Sequence, residues 1–362
     1  MPPIRFIHAA DLHLDAAFSG LSRDIPADFA ERLRTATFTA FRRLLDLCER
    51  ESPDFLLLAG DVYNQEDASV SAQLALRDGF RRLESLSIPV FLVHGNHDPL
   101  ASRLRSVRWP GNVTVFGELP DAVPVFRKGE GTPLAIIHGA SHASGRETRN
   151  LAALFRRTEA CGLHVGLLHA TPGDADGVAR YAPFSQEDLK ASGMDYWALG
   201  HIHDRREVCR EPLAAYPGCT QGLHINEPGE KGCLLVTAEA RPDGGYAVRT
   251  SFRPLGPAVW KTLDMDLGGA ASLDELENRL RTGLDRAAAE VWSGCEMLLV
   301  RLRLQGRTEL DGLLRKGTTC AELADRLRED GNGVPRIWIK DIDVATRPCV
   351  ERGALLERED LL

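Results

Sequence analysis

Five apolar runs in the first two hundred residues each stop at a short polar cluster, and this recurrence constrains the fold more than any other feature of the chain. The clusters are Asp11-Leu12-His13, Gly60-Asp61, Gly95-Asn96-His97-Asp98, His169 and Gly200-His201-Ile202-His203. Between the first three lie stretches of helical periodicity. From about Asp28 to Arg50, residues Phe29, Leu33, Phe38, Phe41, Leu44, Leu45 and Cys48 recur at three- and four-residue spacing, one face of a helix, and a second helical stretch covers about Val70 to Ser87. Strands are expected over 4–10, 54–59 and 89–93. The resulting β-α-β-α-β order predicts parallel central strands with helices on the sheet faces. In such sheets ligands bind beyond the carboxyl ends of the strands, so clusters distant in sequence converge there.

The pattern then becomes richer in strands, with runs at about 113–116, 122–126 and 133–138. A helix is expected near 146–160, followed by the strand His164–Leu168 ending at His169 and the strand Tyr196–Leu199 ending at Gly200. Strands near 205–210, 232–238 and 245–252 close a first domain over 1–255, and Pro254-Leu255-Gly256-Pro257 marks its boundary. A small α+β domain is expected over 256–345, with strands near 259–266, 296–304 and 336–340 and helices near 272–288 and 319–329. Residues 346–362 form a C-terminal tail.

Composition matters here by what it excludes. With 44 Lys and Arg against 52 Asp and Glu, the formal charge of −8 argues against a generally basic nucleic-acid binder; Arg103, Arg105 and Arg108 read first as a solvated surface, with local phosphate contact as the alternative. The eight cysteines form no C-x-x-C pair, which removes a zinc knuckle or redox motif and points to reduced thiols. No apolar stretch reaches the length of a membrane span, and Met1-Pro-Pro-Ile-Arg5 leads directly into a strand, so a soluble cytoplasmic protein is expected. What remains is a donor set of aspartate, histidine and asparagine without thiolate, which suits Mn²⁺, Fe²⁺ or Zn²⁺ in an open coordination sphere better than a closed structural zinc. Asp11, His13, Asp61, Asn96, His169, His201 and His203 are too many for one tetrahedral ion. They suit two divalent ions sharing a carboxylate. Such a pair acidifies a water, aims it in line with a P–O bond and neutralises phosphoryl charge, as phosphoester hydrolysis requires.

The clusters resemble the signature of the calcineurin-like metallophosphoesterases, D-x-H, G-D, G-N-H-[DE], a separate His and G-H-x-H, over Asp11 to His203. That resemblance implies Asp11, His13 and His203 on one ion, Asn96, His169 and His201 on the other, and Asp61 bridging. It also implies that His97 contacts the phosphate and protonates the leaving oxygen as general acid, with Asp98 orienting it. His8-Ala-Ala-Asp11-Leu-His13-Leu-Asp15 and Gly60-Asp61-Val62-Tyr63 are similar to the DNA repair nucleases of the Mre11 and SbcD type, in particular their YhaO-like subgroup. The fold so implied is an α/β (α+β) metallophosphoesterase sandwich, helices flanking mixed sheets, with a small α+β capping domain. The function so implied is a manganese-dependent hydrolase, a DNA exo- or endonuclease of repair. Its partners would be DNA, a homodimer mate and an SbcC/Rad50-like ATPase docked on the tail, where Gly353-Ala-Leu-Leu-Glu357 is the one short helix expected.

One position departs from that pattern. Asn64 stands three residues after Asp61, where many of these nucleases carry a second non-ligand histidine. An amide hydrogen-bonds a phosphate but does not donate a proton as an imidazolium does. Asn64 and Tyr63 are accordingly the expected substrate contacts. A phosphatase or cyclic-nucleotide phosphodiesterase on the same site is the alternative enzyme reading, and a weakly active DNA-bound scaffold for the ATPase is the non-enzymatic one. His8, His94, His138, His142, His164 and His224 read as satisfied core or surface histidines.

Overall fold

A computed structural model describes residues 2–21, 25–64, 69–102, 107–174, 180–242, 244–329, 333 and 335–349. They fall into two compact units, one within Met1–Phe18, Pro26–Leu223 and Lys231–Gly256, the other within Ser19–Ile25, His224–Glu230 and Pro257–Leu362.

The first unit grows from three strands, β1 (Ile4–Ala9), which carries Arg5 and His8 among apolar residues, and the wholly apolar β2 (Phe55–Ala59) and β3 (Val90–Val93). Parallel strands covered on both faces need no polar alternation, and β2 and β3 are buried at every residue. They pair in parallel, and β4 (Val113–Val115) extends them. Helices α1 (Ala27–Arg34), α2 (Ala36–Glu51) and α3 (Val70–Ser85) accompany this sheet. Phe41, Leu44 and Leu45 of α2 and Leu76, Phe80 and Leu83 of α3 share one core with Leu56, Leu58, Val90 and Leu92. The single helix expected over Asp28–Arg50 is divided at Thr35. Its hydroxyl donates to the carbonyls of Glu31 and Arg32, the local competition by which a threonine interrupts a helix.

A second sheet contains β5 (Asp121–Val125), β6 (Ala135–Ala140), β7 (Leu163–His169), β8 (Tyr196–Gly200), β9 (Arg206–Arg210) and β10 (Leu213–Tyr216), in the order β5-β6-β7-β8-β10-β9. The last strands of the unit, β11 (Gly232–Ala240) and β12 (Tyr246–Pro254), return to the first sheet and give it the order β12-β11-β1-β2-β3-β4. Each sheet is mixed: the first is antiparallel along β12-β11-β1 and parallel from β1 to β4, and the second is parallel at its centre with an antiparallel pair at each edge. Between them Phe6, Phe55 and Phe91 meet Ile137, Val165, Leu167 and Tyr196, with Phe6 stacked on Phe55 at 4.7 Å and edge-on to Tyr196 at 5.5 Å. Burying each such side chain contributes about 1.5–3 kcal/mol. The helix α4 (Gln186–Ala191), closed by a capping box of Ser185 and Asp188, places Leu189 in a further core with Leu168, Trp197 and Leu199.

Two elements differ from expectation. Over 146–160 the described helix is a single 3₁₀ turn, Ala152–Leu154, because tertiary bonds claim the backbone: the Ala182 N–H donates to the Glu147 carbonyl, and the Arg157 N–H to that of Ser192. Leu151, Ala152 and Phe155 are nevertheless buried, which produces the helical spacing. Strand β10 was not anticipated. Leu213-Ala-Ala-Tyr216 carries no alternation, and its pairing with β8 and β9 makes it a strand.

The second unit comprises β13 (Ala258–Asp266), α5 (Leu273–Glu290), β14 (Met297–Gln305), β15 (Arg307–Thr308), α6 (Asp311–Leu314), α7 (Thr319–Glu329), β16 (Arg336–Val344) and β17 (Arg347–Pro348). A parallel sheet β13-β14-β16 packs Leu298, Val300, Leu302 and Leu304 against Leu276, Leu280 and Leu284 of α5. The tail helix expected at Gly353–Glu357 lies outside the described residues. Among those described, no helix is long and apolar enough to cross a membrane.

Candidate metal centre

Strands β1, β2, β3, β7 and β8 each deliver one polar cluster at the carboxyl end. Past the strands the backbone turns sharply. Asp11 (φ 51°), His13 (φ 41°), Asp61 (φ 49°) and His201 (φ 105°) have positive φ, which is disfavoured for residues with a Cβ. Such strain persists where the surroundings over-determine it, and it concentrates at functional sites. Here long-range bonds supply the constraint. The Asp11 N–H donates to the Gly60 carbonyl at 3.1 Å, the His13 N–H to that of Asp61 at 3.0 Å, and the His201 N–H to the Asp11 carboxylate at 3.0 Å.

Two glycines permit the crowding. A Cβ at Gly60 (φ 87°) would fall 2.5 Å from Nδ1 of His169, and one at Gly95 would fall 2.2 Å from Oδ1 of Asp61. Gly60→Ala is therefore expected to cost at least about 1–2 kcal/mol from its backbone alone, and to displace His169. Thermal unfolding and a Mn²⁺ titration of the variant check this, and metal binding equal to wild type would refute it.

The side chains gather into two sets. Asp11, His13 and His203 present ligand atoms within 4.8 Å of one another, and Asp61, His169 and His201 do the same. His13 Nε2 is 3.1 Å from His203 Nε2, and Asp61 Oδ2 is 3.3 Å from His169 Nε2 and 4.0 Å from His13 Nε2. Asn96 Oδ1 lies 3.0 Å from His169 Nε2. Asp61 thus stands between the sets. The donors fit divalent ions: two imidazole nitrogens face each other, where at most one proton could mediate, beside carboxylates only 1% exposed. Outer contacts aim these candidate donors, with His169 Nδ1 on the Ala59 carbonyl at 2.9 Å and His13 Nδ1 on Asn64 Oδ1 at 2.6 Å.

Residues 4–205 match the family model of the calcineurin-like phosphoesterases. The chain belongs to that family. Residues 260–347 match the middle domain of metallophosphoesterase YhaO. The metallophosphoesterase YhaO of Bacillus subtilis (strain 168) is 37% identical over 348 residues, covering 95% of this chain and 82% of that one. The DNA double-strand break repair protein Mre11 of Aeropyrum pernix is 27% identical over 319 residues, 80% of this chain and 69% of its own. That of Haloferax volcanii is 24% identical over 373 residues, 97% and 74% respectively. Metallophosphoesterases bind two divalent metals, and the two side-chain sets of this phosphoesterase are candidate sites for them.

The electrostatics of the phosphoesterase centre follow from burial and pairing. Burial pushes the Asp11 carboxyl up and the His13 imidazole down. Burial alone would also raise Asp61, but the His169 imidazole beside it outweighs this and holds it well below the usual carboxylate range. The same contact overcomes burial at His169 and pushes it up to about 9. A cation binding His169 must then displace a proton at neutral pH. Mn²⁺ affinity is expected to rise with pH, about tenfold per unit for one released proton, and to level off above about pH 9. Calorimetry at pH 7.5 in buffers of different ionisation enthalpy measures that proton, and identical heats would refute the expectation.

The other expected site residues take varied positions. His97 is exposed, its N–H donates to Asp61 Oδ1 at 2.9 Å, and its ring lies edge-on to His13 at 5.2 Å. Asp98 does not orient it. That carboxylate is fully buried and accepts the N–H groups of Gly95 (2.7 Å), Val62 (3.0 Å) and Asp61 (3.3 Å), with His94 Nδ1 3.3 Å away, so it ties together the loops after β2 and β3. Tyr63, expected beside the substrate, is 3% exposed, bridges to Leu14 and packs in the core shared with α2 and α3. Asn64, expected in the same role, gives its amide oxygen to His13. His8 is a core histidine, bonded to the Tyr196 hydroxyl and the Leu199 carbonyl. Arg103 and Arg105 lie outside the described residues, while Arg108 is exposed.

Two residues were missed. Lys231, 5% exposed, donates to the carbonyl of His203 at 3.0 Å and to Asp204 Oδ1 at 2.9 Å. A lysine opening the apolar run Gly232–Val236 was its only sequence signal. His142, read as a core histidine, approaches the carbonyl of His169 with Nε2 at 2.6 Å. Nothing in its local sequence marked that contact.

Proposed function

We propose that this phosphoesterase is a DNA nuclease of repair, hydrolysing phosphodiesters with two divalent ions, manganese foremost. The observation that carries the DNA reading is the extent of likeness to proteins named for double-strand break repair, which reaches 80% and 97% of the chain and so runs beyond the phosphoesterase unit. When bound, the ions supply an acidified water and neutralise phosphoryl charge. The chain does the rest. Asp11, His13 and His203 would hold one ion, Asn96, His169 and His201 the other, and Asp61 would serve both. The backbone N–H of His97 donates to Asp61 Oδ1 and the ring is exposed, which supports His97 as the group that would contact the phosphate and protonate the leaving oxygen.

Purified protein with Mn²⁺ should cleave linear DNA and bis-(p-nitrophenyl) phosphate in preference to p-nitrophenyl phosphate. Monoester turnover with intact DNA would replace the nuclease reading with a phosphatase.

A further inference from the structure

We infer that Asn64 is a positioning residue of the metal centre, its amide oxygen keeping the His13 proton on Nδ1 so that Nε2 is bare and binds the ion. This rests on the reading of Asp11, His13 and His203 as ligands of one ion.

A neutral imidazole carries one N–H, and only the other nitrogen can bind a cation. His13 lies beyond the end of β1 with a φ of 41°, so no strand pairing orients it. Its Nε2 faces His203 Nε2 at 3.1 Å and Asp61 Oδ2 at 4.0 Å, while Nδ1 meets Asn64 Oδ1 at 2.6 Å. A bare Nε2 therefore requires an acceptor at Nδ1, and Asn64 supplies it. The two residues are registered by the backbone between them: the His13 N–H donates to the Asp61 carbonyl, the Leu14 N–H donates to that of Val62, and Leu14 bridges to Tyr63. His169 is aimed differently, by the main-chain carbonyl of Ala59, which can only accept. At His13 the same decision falls to one side chain, and substitution can change it.

The experiment measures Mn²⁺ binding by calorimetry for wild type, Asn64→Ala and Asn64→Asp, together with long-range ¹H–¹⁵N imidazole spectra of the metal-free proteins. Wild type is expected to bind two ions. Asn64→Ala should weaken one of them about 10–100-fold and leave the other, with His13 becoming a mixture of tautomers. Asn64→Asp, whose carboxylate only accepts, should restore both the affinity and the single tautomer. An Asn64→Ala protein that binds both ions normally and shows only a raised KM would overturn the inference and make Asn64 a substrate contact. An Asn64→Asp protein that melts like wild type yet binds as poorly as the alanine variant would also overturn it. Wild type holding fewer than two ions would overturn the ligand assignment itself, a distinct failure.

Discussion

Asp61→Asn is expected to lower kcat at least about a thousandfold, roughly 4 kcal/mol of barrier, without unfolding the protein. The substitution keeps the shape and an oxygen able to accept the His97 N–H, which Asp61 Oδ1 now does at 2.9 Å. It removes the negative charge that sits 3.3 Å from Nε2 of His169 and 4.0 Å from that of His13. Asp11 cannot substitute, since its oxygen meets His169 on the Nδ1 side, which the Ala59 carbonyl already occupies. With the anion gone, His169 also loses the main influence raising it, so Mn²⁺ binding should release less proton than in wild type. Turnover of bis-(p-nitrophenyl) phosphate at saturating Mn²⁺, metal content and a melting curve test this together. Activity within tenfold of wild type would dismiss Asp61 as the shared ligand.

His97→Ala separates proton donation from metal binding. The ring is exposed and belongs to neither ligand set, so both ions should still bind with wild-type affinity. DNA cleavage should fall about 10²–10⁴-fold, the usual contribution of a positioned general acid. The leaving oxygen of a sugar is strongly basic and needs that proton, whereas p-nitrophenolate departs without it. Turnover of bis-(p-nitrophenyl) phosphate should therefore fall much less, since it loses only the phosphate contact. If the variant and wild type cleave DNA equally, His97 is not the acid. If both substrates suffer alike, its role is to bind phosphate.

The strands that carry the clusters were legible because their signal is local. A run such as Phe55-Leu-Leu-Leu-Ala59 followed by Gly60-Asp61 states both a strand and its end, and β2 is buried at all five positions. Thr35 and the segment around Ala152–Leu154 show where that signal fails. Apolar spacing reports which residues are buried, but it does not report that the Thr35 hydroxyl takes the carbonyls of the preceding turn, or that the Glu147 carbonyl is claimed by Ala182. Periodicity measures burial, and a helix also needs its backbone groups to remain its own.

The sequence alone determined which residue types are present at the strand ends, and hence the chemistry: carboxylate, imidazole and amide donors without thiolate suit hard or borderline cations. It could not determine what each side chain bonds. The family resemblance implies Asp98 as the carboxylate that orients His97, yet its oxygens meet the backbone of Asp61 and Val62, far along the chain. Asn64 was read as facing substrate, and it faces His13 across 51 residues of sequence. Lys231 belongs to no motif, and its contact with His203 exists only because β11 returns to β1. A donor's identity is a property of its residue, whereas its role depends on distances of about 3 Å between segments that only tertiary packing brings together.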